Sequence, residues 1–312
     1  MNYPIPVTGK AWQRQIREQQ AALPDPLLAE KQVLAASLKN ATVREVDYQT
    51  AKEFIVRYEW LKSMGTTDIS FGLYFGEHLA GVECFGRTAG TKSAASVCGP
   101  EYAHMVKTLC RGACAPWADP PRIDSKGRVH TGAAASFLIS ESCRLMSERG
   151  FHIFVAYSDA EAGEIGTVYQ SCNWIHCEPT KQGSSMFAWA GAKGKGFKDG
   201  KLRDERNIQH FVRSRRFKGQ PIAAYKIKCT RREYRAKMLK EGFMFFKATP
   251  KRRYVGFYGD KRLVRELRAA LRWNEVPYPK RIVEGHPDGT PIGSVVRSHE
   301  SAPNLTEEVS QK

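Results

Sequence analysis

Residues 131–159 read TGAAASFLISESCRLMSERGFHIFVAYSD. Ala135, Ile139, Cys143 and Met146 recur at helical spacing, Thr131 and Gly132 open that helix, and Gly150 closes it. Phe151 to Tyr157 then runs almost without a polar residue, as a strand covered on both faces does. A helix feeding such a strand is the signature of a layered α/β protein.

Reading outward supports this. Upstream, a short strand over Thr42–Val46 precedes a helix over Thr50–Trp60. Ile69, Phe71, Leu73 and Phe75 alternate with Ser70, Gly72 and Tyr74, and Gly76-Glu77 turns the chain into a second strand carrying Ala80, Val82 and Cys84 on one face. Another strand fits Met105–Cys114, followed by a loop over Ala115–His130 rich in Pro, Asp and Gly. Downstream, Gly163–Asn173 reads as a short helix and Trp174–Cys177 as a strand. The expected fold class is α/β, a mixed central sheet with flanking helices plus a basic helical extension.

The chain has 312 residues, 42% of them hydrophobic, enough for a sizeable core. No apolar run is long enough to span a bilayer, and the first residues hold no apolar signal core, so a cytoplasmic protein is expected. The eight cysteines include no C-x-x-C pair, which argues against a zinc ribbon or a redox pair and for reduced thiols. Histidines are scattered without metal-ligand spacing. The net charge of +17 is concentrated: residues 191–282 carry 28 basic and 8 acidic side chains, a net +20. Four parts are expected: a peripheral segment 1–40 with a helix over Pro26–Lys39, a catalytic core 41–190, a basic region 191–282, and a disordered tail 283–312.

Within the basic region, helices are expected over Asp204–Arg216, Thr230–Glu241 and Asp260–Arg272. Strands are expected over Phe243–Phe246 and Arg252–Tyr258, joined at Pro250, with the second completing the sheet. Basic residues interleave there with Tyr225, Tyr234, Phe245 and Tyr254, a pattern suited to phosphates and bases. Arg213, Arg215, Arg216, Arg231, Arg232, Arg235, Lys251, Arg252 and Arg253 are the candidate nucleic-acid contacts.

Several segments could carry chemistry. Asp119-Pro120-Pro121 resembles an adenine methyltransferase motif but continues into Arg122, without a glycine-rich cofactor loop upstream. The small residues Thr131 to Ser136 at a helix start suit either a bound anion or close packing on a sheet. Asp159 follows a buried strand, where open α/β sheets bind ligands, and a helix cap is its competing role. Arg111 interrupts an apolar strand and must face an anion, a cleft or an ion-pair partner. Tyr169 is either a core aromatic or a proton donor.

The order of elements resembles the GNAT acyltransferase fold, and within it the sequence is similar to the Mom family of phage DNA-modification proteins. The supporting segments are Tyr58-Glu59-Trp60-Leu61, Gly72 to Gly76 with Ala80-Gly81-Val82, Arg111 to Cys114 with Trp117-Ala118, Ala135 to Ser140, Ala156 to Asp159, Gly163 to Gln170, and Tyr278 to Arg281. The resemblance implies an enzyme that adds a carbamoylmethyl or acyl-type group to the exocyclic amine of adenine in double-stranded DNA, blocking restriction enzymes in the host cytoplasm. It implies an active-site set of Arg111, Ser136, Tyr157 and Asp159, with Tyr169 matching the general-acid tyrosine of GNAT enzymes. Tyr58, Trp60 and Trp117 fall on the substrate side, and Thr131, Gly132 and Ser136 on the cofactor side. The donor implied is acetyl-CoA or another acyl or glycyl carrier. The family's iron carries over only weakly, because Arg57-Tyr58 stands where other members have a histidine.

Two features depart from the GNAT pattern. The loop 115–130 separates Arg111 from the cofactor helix, where GNAT enzymes place an R/Q-x-x-G-x-G/A loop directly. Tyr169-x-x-x-Asn173-Trp174 replaces the usual Y-x-x-x-G-F. The open alternatives are a GNAT enzyme acting on a protein, RNA or small-molecule amine, and a non-catalytic nucleic-acid-binding protein on the same scaffold.

Overall fold

The computed structural model describes residues 11–89, 92–120, 122–123, 129–130, 133–160, 162–180, 186–189, 203–204, 216–217, 220–221, 236, 244–247 and 250–279. The chain divides into two units, Met1–Pro179 with Lys251–Lys312, and Thr180–Pro250.

The first unit begins with helices α1 (Trp12–Ala21) and α2 (Leu28–Ala35), shorter than the expected Pro26–Lys39 because a 3₁₀ turn takes over at Leu38–Asn40. Strand β1 (Ala41–Val46) leads into α3 (Tyr48–Tyr58). Asp47 caps α3 by accepting hydrogen bonds from Gln49 N and Thr50 N, both at 2.9 Å. Strands β2 (Thr67–Phe75) and β3 (His78–Gly86) form the hairpin, turning at Gly76 with φ +58°. A short helix α4 (Ala95–Cys98) precedes β4 (Val106–Cys114), and the loop beyond it contains the small pair β5 (Arg122–Ile123) and β6 (Val129–His130). Then come α5 (Ala133–Ser147), β7 (Ile153–Ser158), α6 (Thr167–Ser171) and β8 (Ile175–Cys177).

In the second unit, β9 (Met186–Trp189) lies between β10 (Arg203–Asp204) and β13 (Met244–Lys247), and β11 (Arg216–Phe217) pairs with β12 (Gln220–Pro221). The helix expected over Asp204–Arg216 is corrected at its ends, since both terminal residues lie in strands; its interior lies outside the described residues. Of Thr230–Glu241 only Ala236 is described, and it is helical. The chain re-enters the first unit at β14 (Arg252–Phe257) and ends its described part with α7 (Lys261–Ala269).

Seven strands form one sheet in the order β1-β2-β3-β4-β7-β14-β8. All neighbours are antiparallel except β4 and β7. The apolar run in β7 is explained by its alternation. Phe154 and Ala156 pack in a cluster with Ile139, Cys143 and Met146 of α5, while Ile153 and Val155 pack with Val97 and Cys98 of α4 and Leu267 of α7. Helices therefore cover both faces.

The strands expected on either side of Pro250 both form, and they do not pair with each other. Met244–Lys247 pairs with β9, whereas Arg252–Phe257 inserts between β7 and β8. Tyr254 and Val255 are fully buried, and Gly256 leaves its side-chain position to the Trp174 indole, so this segment belongs in a central strand. Among the described residues no helix is long and apolar enough to cross a membrane, and every described cysteine is free.

Candidate active site where two strands part

β4 and β7 pair only from Val106–Thr108 to Ile153–Val155. β4 continues to Cys114 against β3, and β7 to Ser158 against β14, so their facing edges part beyond that point. Backbone groups along such edges need partners, and ligands of open α/β sheets gather at the ends of such strands. Arg111 and Gly112 stand on one wall of this wedge. Tyr157 and Ser158 stand on the other, leading to Asp159.

Arg111 is anchored from three sides. Its Nε donates to Ser63 O at 2.5 Å, Nη1 to Cys110 O at 2.5 Å and Nη2 to Ser63 Oγ at 3.2 Å. Beside it, Glu59 is only 6% exposed, and its Oε2 accepts from Leu61 N at 2.9 Å and Lys62 N at 3.1 Å. Burial pushes the Glu59 carboxyl up to about 7; Arg111 and the two amides pull it down, and Glu164 pushes it up. Glu164 is raised too, by burial and then by Asp159, while its Oε1 accepts the Trp60 indole N–H at 3.1 Å. Asp159 Oδ2 lies 3.5 Å from Lys251 Nζ, and the Asp159 carbonyl accepts Glu164 N at 3.0 Å. Three carboxylates and two cations thus meet at the mouth of the wedge.

Glu59 and Glu164 were not among the residues expected from sequence, although each lies inside a segment that carried the family resemblance. The signal available was position: Glu59 sits between Tyr58 and Trp60, and Glu164 five residues past Asp159. The raised Glu59 carboxyl makes a stability prediction. A carboxyl whose folded pKa exceeds its unfolded value binds more protons in the native state, so it favours folding at low pH and loses that contribution as pH rises. Thermal melts should show stability falling between about pH 4.5 and 7, and Glu59→Gln should flatten that slope. An unchanged slope in the variant would place the titration elsewhere.

The remaining expected residues fall in several places. Tyr169 lies in α6 with its ring stacked on Trp174 at 5.4 Å and tilted against Tyr254 at 5.2 Å; burial, then Glu83, pushes its hydroxyl well above the usual range. Tyr157 belongs to the other face of the sheet, with the cluster of Val97, Ile153 and Val155. Tyr157 and Tyr169 are therefore on opposite sides. Ser136 uses its hydroxyl within the first turn of α5, donating to Ala133 O at 3.1 Å, and its carbonyl accepts from Cys172 Sγ at 3.5 Å. Thr131 and Gly132 lie outside the described residues. Tyr58 and Trp117 come together on a cavity of ≈ 380 Å³ with Phe54, Arg57 and His78. Trp60 instead joins the carboxylates, braced edge-on by Trp12 at 4.8 Å.

The segment from Gly163 to Trp174 is held in a way that explains its residues. Gly166 has φ +71° and caps α6, and the Tyr254 hydroxyl donates to Ile165 O at 2.6 Å. Asn173 has φ +57°. The GNAT pattern puts glycine at this position, and Asn is the side chain that best tolerates that left-handed conformation. The departure from Y-x-x-x-G-F therefore preserves the turn. The Tyr278 hydroxyl donates to Trp174 O at 2.8 Å, which ties the last resembling segment to the same place.

Of the candidate nucleic-acid contacts, Arg213, Arg215, Arg231, Arg232 and Arg235 lie outside the described residues, and Arg216 is described only by its place in β11. Lys251 faces Asp159. Arg252 Nη1 donates to Glu164 O at 3.1 Å. Arg253 is engaged more fully: its Nε donates to Glu178 O at 2.7 Å and its guanidinium lies 4.1 Å over the Trp273 ring. Among the described residues no group of His, Cys, Asp and Glu could hold a metal ion, so the iron carried by the resemblance finds no ligand set there.

No curated protein matches the chain. Solved structures similar to it include an IAA acetyltransferase from Bacillus cereus, with 8% identity and a TM-score of 0.31 over 70% of this chain and 99% of that one. A Bacillus subtilis acetyltransferase in complex with CoA gives the same identity, TM-score and coverage. A chimeric spermidine N-acetyltransferase from Vibrio cholerae gives 10% identity and a TM-score of 0.34 over 74% of this chain and 99% of that one. The model of the Mom protein family matches residues 40–280, a span that takes in every strand of the central sheet, and the chain belongs to that family.

Proposed function

We propose that this chain is an acyltransferase-like enzyme that modifies the exocyclic amine of adenine in double-stranded DNA, with a carbamoylmethyl or an acyl-type group, and so protects the DNA from restriction. The observation that carries this reading is the family match across both walls of the wedge, Arg111–Gly112 and Asp159–Glu164. The adenine amine is a poor nucleophile because its lone pair is delocalised into the ring. Reaching it requires flipping the base from the duplex, which costs a few kcal/mol of unstacking. As the amine nitrogen bonds to the donor's electrophilic carbon, Asp159 takes the proton that nitrogen loses, and the electron pair of the broken bond leaves with the carrier. Arg111 stabilises the developing negative charge from a guanidinium already fixed by Ser63 and Cys110.

The parted edges of β4 and β7 fit an extended acyl carrier, whose amides can pair with the open backbone of residues 109–112. Such a carrier would supply the activated group. The basic region grips phosphates, so binding falls steeply with salt. Nucleoside mass spectrometry of DNA and RNA from cells expressing the chain tests the reading. A new adenine adduct in DNA is expected. Unmodified DNA alongside an adduct in RNA, protein or a small molecule would overturn it.

A further inference from the structure

Glu83 plays no part in the chemistry above, yet it is a buried carboxyl in the middle of the sheet. It lies mid-strand in β3, opposite Phe71 of β2 and Gly112 of β4, and is only 3% exposed. Its Oε1 has no hydrogen-bond partner. Among the described residues, the titratable groups on which its charge acts are Cys84, which strand alternation turns to the other face of β3, Cys110 and Cys114 of β4, Cys143 of α5, and Tyr169 and Cys172 of α6 and its end, and none of these is a cation. Burial alone pushes the carboxyl well above the usual range, which favours the neutral acid with one O–H donor and one carbonyl acceptor.

Gly112 leaves the room that this carboxyl occupies. A Cβ at Gly112 would lie 2.5 Å from Glu83 Oε2 and 2.7 Å from Oε1. Gly112 is past the last β4 residue paired with β7, so it stands in the wall of the wedge. A buried polar group without a partner calls for a specific explanation, and an apolar side chain would cost less here. A neutral carboxylic acid is complementary to a planar edge that offers N–H beside an acceptor, with which it closes two parallel hydrogen bonds.

We propose that Glu83 and Gly112 form a subsite in the wedge for the planar H₂N–C=X edge of a ligand, that of a primary amide or of an aminated nucleobase. The Glu83 carbonyl accepts the N–H and its hydroxyl donates to X. This deepens the function proposed above and rests on the wedge as the place of transfer. A primary amide would belong to the group being transferred, and the nucleobase edge to the acceptor.

Calorimetric titration of the full chain with glycinamide and with deoxyadenosine monophosphate, each alone, tests it. One of the two is expected to bind the native protein, and which one identifies the source. E83L should weaken that probe about tenfold or more, E83Q less because its amide keeps a donor and an acceptor, and G112A as much as E83L. E83L should also melt at the same temperature or higher, since it removes a buried polar group without a partner. Binding of neither probe, equal binding to E83L, or a lower melting temperature of E83L would each overturn the subsite. Glu83-dependent probe binding in a protein that leaves DNA unmodified would sink the proposed substrate and leave the subsite standing.

Discussion

Gly166→Ala is expected to lower the melting temperature by about 5–20 °C, from a loss of about 2–5 kcal/mol. Two costs add. The backbone at Gly166 has φ +71°, where a Cβ meets the following carbonyl, and that costs roughly 1–2 kcal/mol. The new methyl would also lie 2.4 Å from Tyr254 Cε2 and 2.8 Å from its hydroxyl oxygen. Overpacking of this kind costs about 1–3 kcal/mol when the neighbour cannot yield. Tyr254 cannot yield easily: it is fully buried, its hydroxyl donates to Ile165 O, and its ring stacks on His176 at 4.9 Å. Gly150→Ala is the control. Gly150 has φ +85° but nothing within 4 Å of an added Cβ, so it should show the conformational cost alone. Equal losses at the two positions would mean that the Tyr254 ring moves aside.

That ring also marks the limit of what the sequence makes legible. The helix from Ala133 and the strand after it can be read directly, because a helical stripe and an unbroken apolar run are local patterns. The placement of Arg252–Phe257 between β7 and β8 is a long-range event. Its local pattern says strand, and only the fully buried Tyr254 and Val255 on its two faces say that the strand is central. The site divides in the same way. Arg111 and Asp159 stand out because a charge interrupts or ends an apolar strand. Glu59 does not stand out, because what makes it unusual is burial, and burial is a property of the packed chain. Glu83, between Val82 and Cys84, interrupts an apolar strand as Arg111 does, and only its lack of an ion-pair partner among the described residues needs the packed chain to show. Tyr157 and Tyr169 look alike in sequence, yet alternation in β7 sends Tyr157 to one face of the sheet while helix α6 packs Tyr169 against the other.

Asp159→Asn should cut DNA modification by about 10²–10⁴-fold while leaving salt-dependent DNA binding largely intact. The amide keeps the shape of the carboxylate and removes its capacity to take a proton, so an acid–base role predicts loss in turnover with little change in apparent affinity. Lys251, 3.5 Å away, loses one counter-charge in this variant and keeps that of Glu164. Arg111→Ala should be as damaging to turnover and more damaging to structure. It removes two hydrogen bonds that join β4 to Ser63 and a third, to Cys110 O, within β4. It also removes the cation that partly offsets the burial of Glu59, so the pH at which Glu59 titrates should move further up. The two variants therefore separate two kinds of failure: Asn at 159 should melt like the native protein and be inactive, whereas Ala at 111 should be inactive, less stable and altered in its pH profile. Modification retained in either variant removes that residue from the mechanism. A loss of DNA affinity in both, with turnover unchanged at saturating DNA, would instead assign the charged cluster at the mouth of the wedge to holding DNA, with proton transfer belonging to another group.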